Sequence, residues 1–195
     1  MPPEDLPPSG FAQRRLPVDR LEEGTLLYRS HRQDHSPLHF SRGHTGNRFD
    51  DPDARFGVCY LATTPAGAFA EAFLRPPGPT YLGEQDLIDR MLAEMALTRD
   101  LALVRFHGAG LHQLGATARV SSGPHATSQR WAAAIHAHPD RHDGIIYRVR
   151  HDDEQFGVAL FERSKDALTE CTTEQWLYHP ALPAMLDRYE VGVGP

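Results

Sequence analysis

The chain reads as an α+β domain, and three observations carry that reading. Short apolar runs bounded by Gly, Pro, Asn and Asp alternate with equally short helical stretches. No regular strand–helix–strand rhythm recurs, which disfavours a doubly wound parallel sheet. The length of 195 residues, with 40% hydrophobic and 24% charged side chains, suits one globular domain with a full core.

Met1 to Pro8 is proline-rich and acidic, without the basic start and apolar run of a signal peptide. Residues 1–19 are therefore expected as a disordered lead-in, and residues 20–195 as a single domain. Thr25–Tyr28 is short, β-branched and apolar, a strand that ends in Arg29. Residues 32–56, crowded with Asp, His, Ser, Gly and Pro, form a long loop of the kind that usually carries function. Val58–Thr63 is a continuous apolar run suited to a buried strand. Thr64 then caps a helix whose first turn takes Pro65. That helix turns Phe69, Ala70 and Phe73 inward and stops before Pro76-Pro77-Gly78.

Leu92–Leu97 alternates partly like a strand, and Leu101–Val104 continues as another. Gly108-Ala109-Gly110 makes a turn before a brief helix at Leu111–Leu114. Thr127-Ser128 ahead of Gln129-Arg130-Trp131 predicts a capped helix start, running to His138. Asp143-Gly144 turns into a strand at Ile145–Arg148, which pairs with Phe156–Phe161 as a hairpin. Arg188–Val193 is expected as a closing strand.

The formal net charge of −6 argues against a protein that binds nucleic acid through its phosphates. No stretch approaches the roughly 20 apolar residues needed to span a bilayer. Cys59 and Cys171 form no spaced pair, so a reducing, cytoplasmic setting is expected. Twelve histidines are present, crowded at His31, His35, His39 and His44 and again at His136, His138 and His142. They lack the tight Cys/His pairs of a structural zinc site, so no metal is expected. His44 and His125 are placed to contact a ligand. Gly108-Ala109-Gly110 lacks the third glycine and the strand–helix setting of a Rossmann fingerprint. A homodimer is left open.

Chemistry concentrates in Leu27-Tyr28-Arg29, Gly46-Asn47-Arg48-Phe49, Val58-Cys59-Tyr60-Leu61-Ala62 and Phe69-Ala70-Glu71. Arginine presents a rigid fork of donors that matches phosphate geometry, and Gly46 lets backbone approach a phosphate closely. Tyr28 and Tyr60 offer aromatic faces. Glu71 is an acid among apolar neighbours, a setting in which carboxylates are rare. A carboxylate beside a ribose can steady positive charge developing at the anomeric carbon. The set suits a dinucleotide split at its glycosidic bond, with NAD the natural candidate. Plainer readings exist for each residue: a surface ion pair for either arginine, core packing for Tyr60, a solvent-facing position for Glu71 and a simple helix cap for Ser128.

These strings, followed by Gly108-Ala109-Gly110-Leu111, Gln129-x-Trp131-Ala132 and Asp143-Gly144-Ile145-x-Tyr147-Arg148, resemble the RES-domain family over residues 20–193. That family includes toxins of RES–Xre toxin–antitoxin pairs. The resemblance implies a fold like the ADP-ribosyltransferase toxins, with two small mixed sheets and flanking helices around an NAD cleft. It implies an activity that consumes NAD or transfers its ADP-ribose, and a helix-turn-helix antitoxin of Xre type as partner. Arg29, Arg48, Tyr60 and Glu71 fall on the family's site positions, and Ser128 on a further one, with Thr127 as its one-residue alternative. On this footing Arg29 and Arg48 hold the pyrophosphate or the adjacent ribose. Tyr60 packs against nicotinamide or its ribose, Glu71 bonds the ribose hydroxyls, and Ser128 binds a phosphate or guides the acceptor. Val149 stands where relatives often carry a serine, so a hydroxyl role there is lost.

Overall fold

The computed structural model describes residues 6–42, 46–74, 78 and 80–194. The elements in chain order are β1 (Val18–Leu21), β2 (Leu26–Arg32), β3 (Val58–Ala62), α1 (Pro65–Phe73), β4 (Tyr81–Gly83), α2 (Glu84–Ile88) and β5 (Arg90–Leu97). There follow β6 (Leu101–Phe106), α3 (Ala109–Leu114), α4 (Arg119–Ser122), α5 (His125–His136), β7 (Gly144–Val149) and β8 (Asp152–Phe161). The chain closes with β9 (Leu168–Gln175), α6 (Leu182–Tyr189) and β10 (Gly192–Gly194). The class is α+β, as expected, but the two sheets are unequal. One has eight strands in the order β1-β6-β7-β8-β3-β2-β5-β9, and the other pairs β10 with β4.

Two features of the large sheet create a cleft. First, β5 and β6 are joined by residues 98–100 alone, yet they stand five places apart in the strand order. The sheet must therefore bend back on itself. Ala93, Met95 and Leu97 of β5 share one buried core with Leu101 and Leu103 of β6, together with Leu27, Cys59 and Leu160. Second, β2 and β3 meet at a single pair, Tyr28 with Ala62. By contrast, β2 follows β5 in register from Leu26–Ala96 to Arg32–Arg90. The sheet is thus a five-stranded half and a three-stranded half hinged at one point, which is the physical content of the expected two-sheet architecture.

On the outer face two further cores flank the hinge. One gathers Phe49, Phe106, Trp131, Tyr147 and Phe161 under α5, and the other gathers Phe69, Phe73, Leu92 and Trp176 around α1. Helix α1 starts where local chemistry says it should. Thr64 Oγ1 accepts the Gly67 N–H at 3.0 Å, and Pro65 occupies the first turn. Among the described residues no helix is long and apolar enough to cross a membrane.

Three expectations need correction. The segment ahead of residue 20 joins the fold: Phe11 and Leu16 are buried, and Val18–Leu21 pairs with β6. Large apolar side chains spaced among prolines found a core to enter. Residues 182–189 form α6 where a strand from Arg188 was expected, because Leu182, Met185, Leu186 and Tyr189 recur at helical spacing against the α1 core. Helix α5 begins at His125, after Pro124, rather than at Gln129. Ser128 is therefore inside the helix, not at its cap. Pro76 and Pro77 lie outside the described residues.

Thr64→Ala removes the cap of α1 and the Thr64–Gln155 side-chain hydrogen bond. It is expected to cost about 1–2 kcal/mol, read as a lower urea midpoint at unchanged slope.

Candidate active site

A cleft of about 650 Å³ opens over the hinge, within the roughly 300–1,000 Å³ usual for small-molecule and cofactor sites. Strand parity decides which side chains reach it. Tyr28 and Ser30 of β2 point into the cleft, as do Tyr60 and Ala62 of β3. Glu71 reaches in from α1, Arg48 from the long loop, and Tyr147 and Arg150 from the β7–β8 hairpin.

Arg48 is held from behind. Its Nη1 donates to the Gly123 carbonyl at 2.8 Å and makes a longer bond to Ser128 Oγ at 3.4 Å. Burial and the neighbouring Arg150 pull its pKa down, while Glu71 acts to raise it. Two guanidinium groups thus crowd one end of the cleft, a setting that favours an anion.

The loop carrying Arg48 is fastened at nearly every residue. His125 Nδ1 donates to the Gly46 carbonyl at 2.7 Å, and Gln129 Nε2 to the Asn47 carbonyl at 3.0 Å. The Phe49 N–H donates to the Tyr60 hydroxyl at 2.9 Å. That hydroxyl in turn donates to Asp50 Oδ1 at 2.9 Å. Asp50 is fully buried and also accepts from Ser41 Oγ at 2.8 Å and from the Asn47 N–H at 3.0 Å. The Tyr60 hydroxyl is spent on this network, which leaves its ring as the part offered to a ligand.

Glu71 is exposed, and its carboxylate faces the open cleft. Loss of surrounding water raises its pKa; a hydrogen bond from the Tyr147 hydroxyl and the charge of Arg48 oppose that rise. Because the cleft is wet, the shift is tempered relative to a sealed interior. The Tyr147 phenol is driven well above its ordinary value by burial and by Glu71. It therefore stays protonated beside the carboxylate, with its hydroxyl placed to favour the charged form.

Not every residue singled out in the sequence arrives in the cleft. Arg29 lies on the opposite face of β2 from Tyr28, because successive strand residues alternate. Its Nη1 donates to the carbonyls of Pro37 at 2.9 Å and His39 at 2.7 Å and lies 2.6 Å from Cys59 Sγ. Its expected phosphate contact is replaced by a bracing role beneath the hinge. Ser128 is fully buried and donates to the Val120 carbonyl at 2.6 Å, so it stands behind Arg48 instead of facing the cleft. Val149 is buried in the core around α1. His125 lines the cleft as expected; His44 is outside the described residues.

Sequence reasoning missed Tyr147, Arg150, Arg90, Ser30 and Ser121, all of which line the cleft. Tyr147 belongs to a string already noted, Asp143-Gly144-Ile145-x-Tyr147-Arg148. Its signal was the polar hydroxyl within an otherwise apolar run, which a buried tyrosine has to satisfy.

Tyr147→Phe removes a donor that favours the charged carboxylate. The Glu71 pKa is then expected to climb further above its ordinary 4.5, as followed by carboxyl ¹³C NMR titration. An unchanged pKa would show that the two groups do not interact.

No curated protein matches the chain. A solved structure titled the crystal structure of the M. tuberculosis MbcT-MbcA toxin-antitoxin complex contains a chain with a TM-score of 0.62. The match is 15% identical and covers 88% of this chain and 91% of that one, which establishes a shared fold. The RES domain model matches residues 26–181, a span that holds β2 through the turn before α6 and every cleft residue named above, and the chain belongs to the RES domain family.

Proposed function

We propose that this protein is an NAD-consuming enzyme that cleaves the bond between nicotinamide and its ribose, as a glycohydrolase or phosphorylase. The observation that carries the reading is the placement of Glu71 and Arg48 in one cleft walled by Tyr28, Tyr60 and Tyr147. Arg48, with Arg150 beside it, takes the pyrophosphate through bidentate, charge-assisted hydrogen bonds. The Tyr60 and Tyr28 rings pack against the nicotinamide riboside end. Glu71, oriented by the Tyr147 hydroxyl, bonds the ribose hydroxyls and steadies the oxocarbenium-like transition state.

The chemistry asks little of acid catalysis. As the glycosidic bond breaks, its electron pair returns to the ring nitrogen and neutralises the pyridinium, so nicotinamide leaves uncharged. Water or phosphate then adds through oxygen to the anomeric carbon, and with water a proton passes to solvent. Positioning and charge stabilisation dominate. Arg29 and Ser128 act from outside the cleft, the one bracing β2 against β3 and the other steadying Arg48.

Drain of an essential cofactor calls for restraint. The family membership, and the toxin–antitoxin complex in which the similar fold was solved, support a toxin acting in the cytoplasm and held in check by an Xre-like antitoxin. Val149 favours a second reading, a non-catalytic nucleotide-binding module, since it puts a buried methyl pair where relatives often carry a hydroxyl. A protein ADP-ribosyltransferase would use the same cleft with a different acceptor.

Nicotinamide release from NAD by the purified protein, with and without inorganic phosphate, separates these readings. Release is expected, and Glu71→Gln should lower turnover by about 10³-fold or more. A phosphate requirement would name the acceptor. Unimpaired release by Glu71→Gln would remove that residue from its role, and NAD binding without release would favour the module or a transferase awaiting its protein target.

A further inference from the structure

The end of α5 remote from the cleft carries a second cluster. The chain leaves the helix through a turn over residues 138–142, in which the Arg141 N–H donates to the His138 carbonyl at 3.0 Å. Arg141 takes a left-handed φ of 51°, a conformation costly for a residue with a Cβ. The turn brings the rings of His138 and His142 to a centroid distance of 5.4 Å. Both imidazoles are buried, at 3% and 6% exposure. Asp140 lies outside them, its Oδ2 at 3.7 Å from His138 Nδ1 and 3.9 Å from His142 Nε2.

His142 Nε2 is buried and has no hydrogen-bond partner among the described residues. Native interiors rarely leave such an atom unpaired without a reason. His138 is oriented by the hydrogen bond from its Nε2 to the Arg14 carbonyl at 3.1 Å. That arrangement makes Nδ1 the nitrogen with the lone pair, which accepts the Asp140 N–H at 3.2 Å, a long hydrogen bond that a metal ion would displace. An imidazole held by a backbone carbonyl in this way is the usual outer support of a metal-ligating histidine.

We propose that His138 Nδ1, Asp140 Oδ2 and His142 Nε2 bind one divalent transition-metal ion of zinc type, with water completing the shell on the exposed side. Two imidazoles and a carboxylate suit zinc(II). The three ligand atoms already lie within 4.8 Å of one another. A tetrahedron with zinc bonds of about 2.0–2.2 Å sets them roughly 3.4 Å apart, so side-chain shifts of about 1 Å close the cluster.

The expectation of no metal rested on missing Cys/His pairs; the turn assembles a site that spacing alone did not announce. Its role is structural. Helix α5 has 12 residues, about 18 Å of length, and the cleft is at its other end. The ion instead fixes the turn at the exit of α5, against which the N-terminal segment rests through the His138–Arg14 hydrogen bond. That segment already packs Phe11 against the His138 and Trp131 rings at 5.9 and 5.4 Å.

The test is zinc(II) titration of tag-free protein against a chromogenic chelator, paired with thermal melts and cobalt(II) absorption spectra. One equivalent is expected to bind. The melting temperature should rise with zinc, since only the folded chain holds the site, and cobalt should give four-coordinate visible bands. Asp140→Ala changes an exposed side chain, leaves folding intact, and should weaken binding by about 100-fold or more. His142→Gln should abolish it, and His35→Ala, in the exposed histidine loop, should leave it unchanged. Absence of stoichiometric binding, binding untouched by Asp140→Ala, or binding lost with His35→Ala would each overturn the proposal.

Discussion

The large sheet is held across its middle by one pair of residues, Tyr28 and Ala62, and the cleft exists because of it. Strands that pair along their whole length leave no room between their side chains on either face. Strands that touch once and diverge open a wedge on both faces, and the wedge has to be filled or put to use. On the inner face Arg29 fills it, spanning from β2 to Cys59 of β3 and to the carbonyls of Pro37 and His39. On the outer face Tyr28 and Tyr60 stand as walls around open space. A residue that looks like a ligand contact is thereby better understood as the strut that lets the opposite face stay empty.

Keeping the wedge open also demands a rigid rim, which Asp50 supplies. A carboxylate without solvent contact is tolerated only when its oxygens are saturated by donors. Asp50 meets that condition by drawing in Ser41, Tyr60 and the Asn47 amide. The cost of burying it is offset by the order it imposes on the loop that presents Arg48. Arg48 is thereby held within reach of the charge of Arg150. Two like charges at one end of the cleft make that end favourable to an anion.

How much of this was legible in the sequence depended on how local the governing interaction was. Thr64 and Pro65 announce α1 within one turn of chain, and Glu71 stands out as an acid in an apolar stretch of that helix; both were readable. Arg48 was readable too, from a glycine-flanked position. Arg29 was not, because Tyr28 and Arg29 are adjacent on a strand, and only the non-local pairing of β2 with β3 decides which of them faces the cleft. Ser128 was misplaced by assigning the helix start to a good capping pair when Pro124 begins it four residues earlier. Strand β9 is not legible because Leu168–Gln175 is largely polar and exposed, an edge strand that pairs with β5, about eighty residues away in the chain. Tyr147 carries only one local mark, a hydroxyl within an apolar strand; it matters because α1 packs where that hydroxyl ends.

That last meeting is set by two glycines. Tyr147 pairs across the ladder with Gly157, and a Cβ at Gly157 would lie 2.5 Å from the Tyr147 ring carbon that bears the hydroxyl. Only a residue without a side chain lets the phenol lie flat over β8 and point toward α1. From the other side, a Cβ at Gly67 would stand 3.0 Å from the Ala62 Cβ and 3.5 Å from the Phe156 carbonyl oxygen. Its absence lets the first turn of α1 settle onto the sheet at the hinge. Glu71 is four residues further on and shares that face of the helix. The closeness of the helix to the sheet therefore delivers the carboxylate to the tyrosine. Neither glycine lines the cleft, yet the acid and the tyrosine meet over the hinge because both positions lack a side chain.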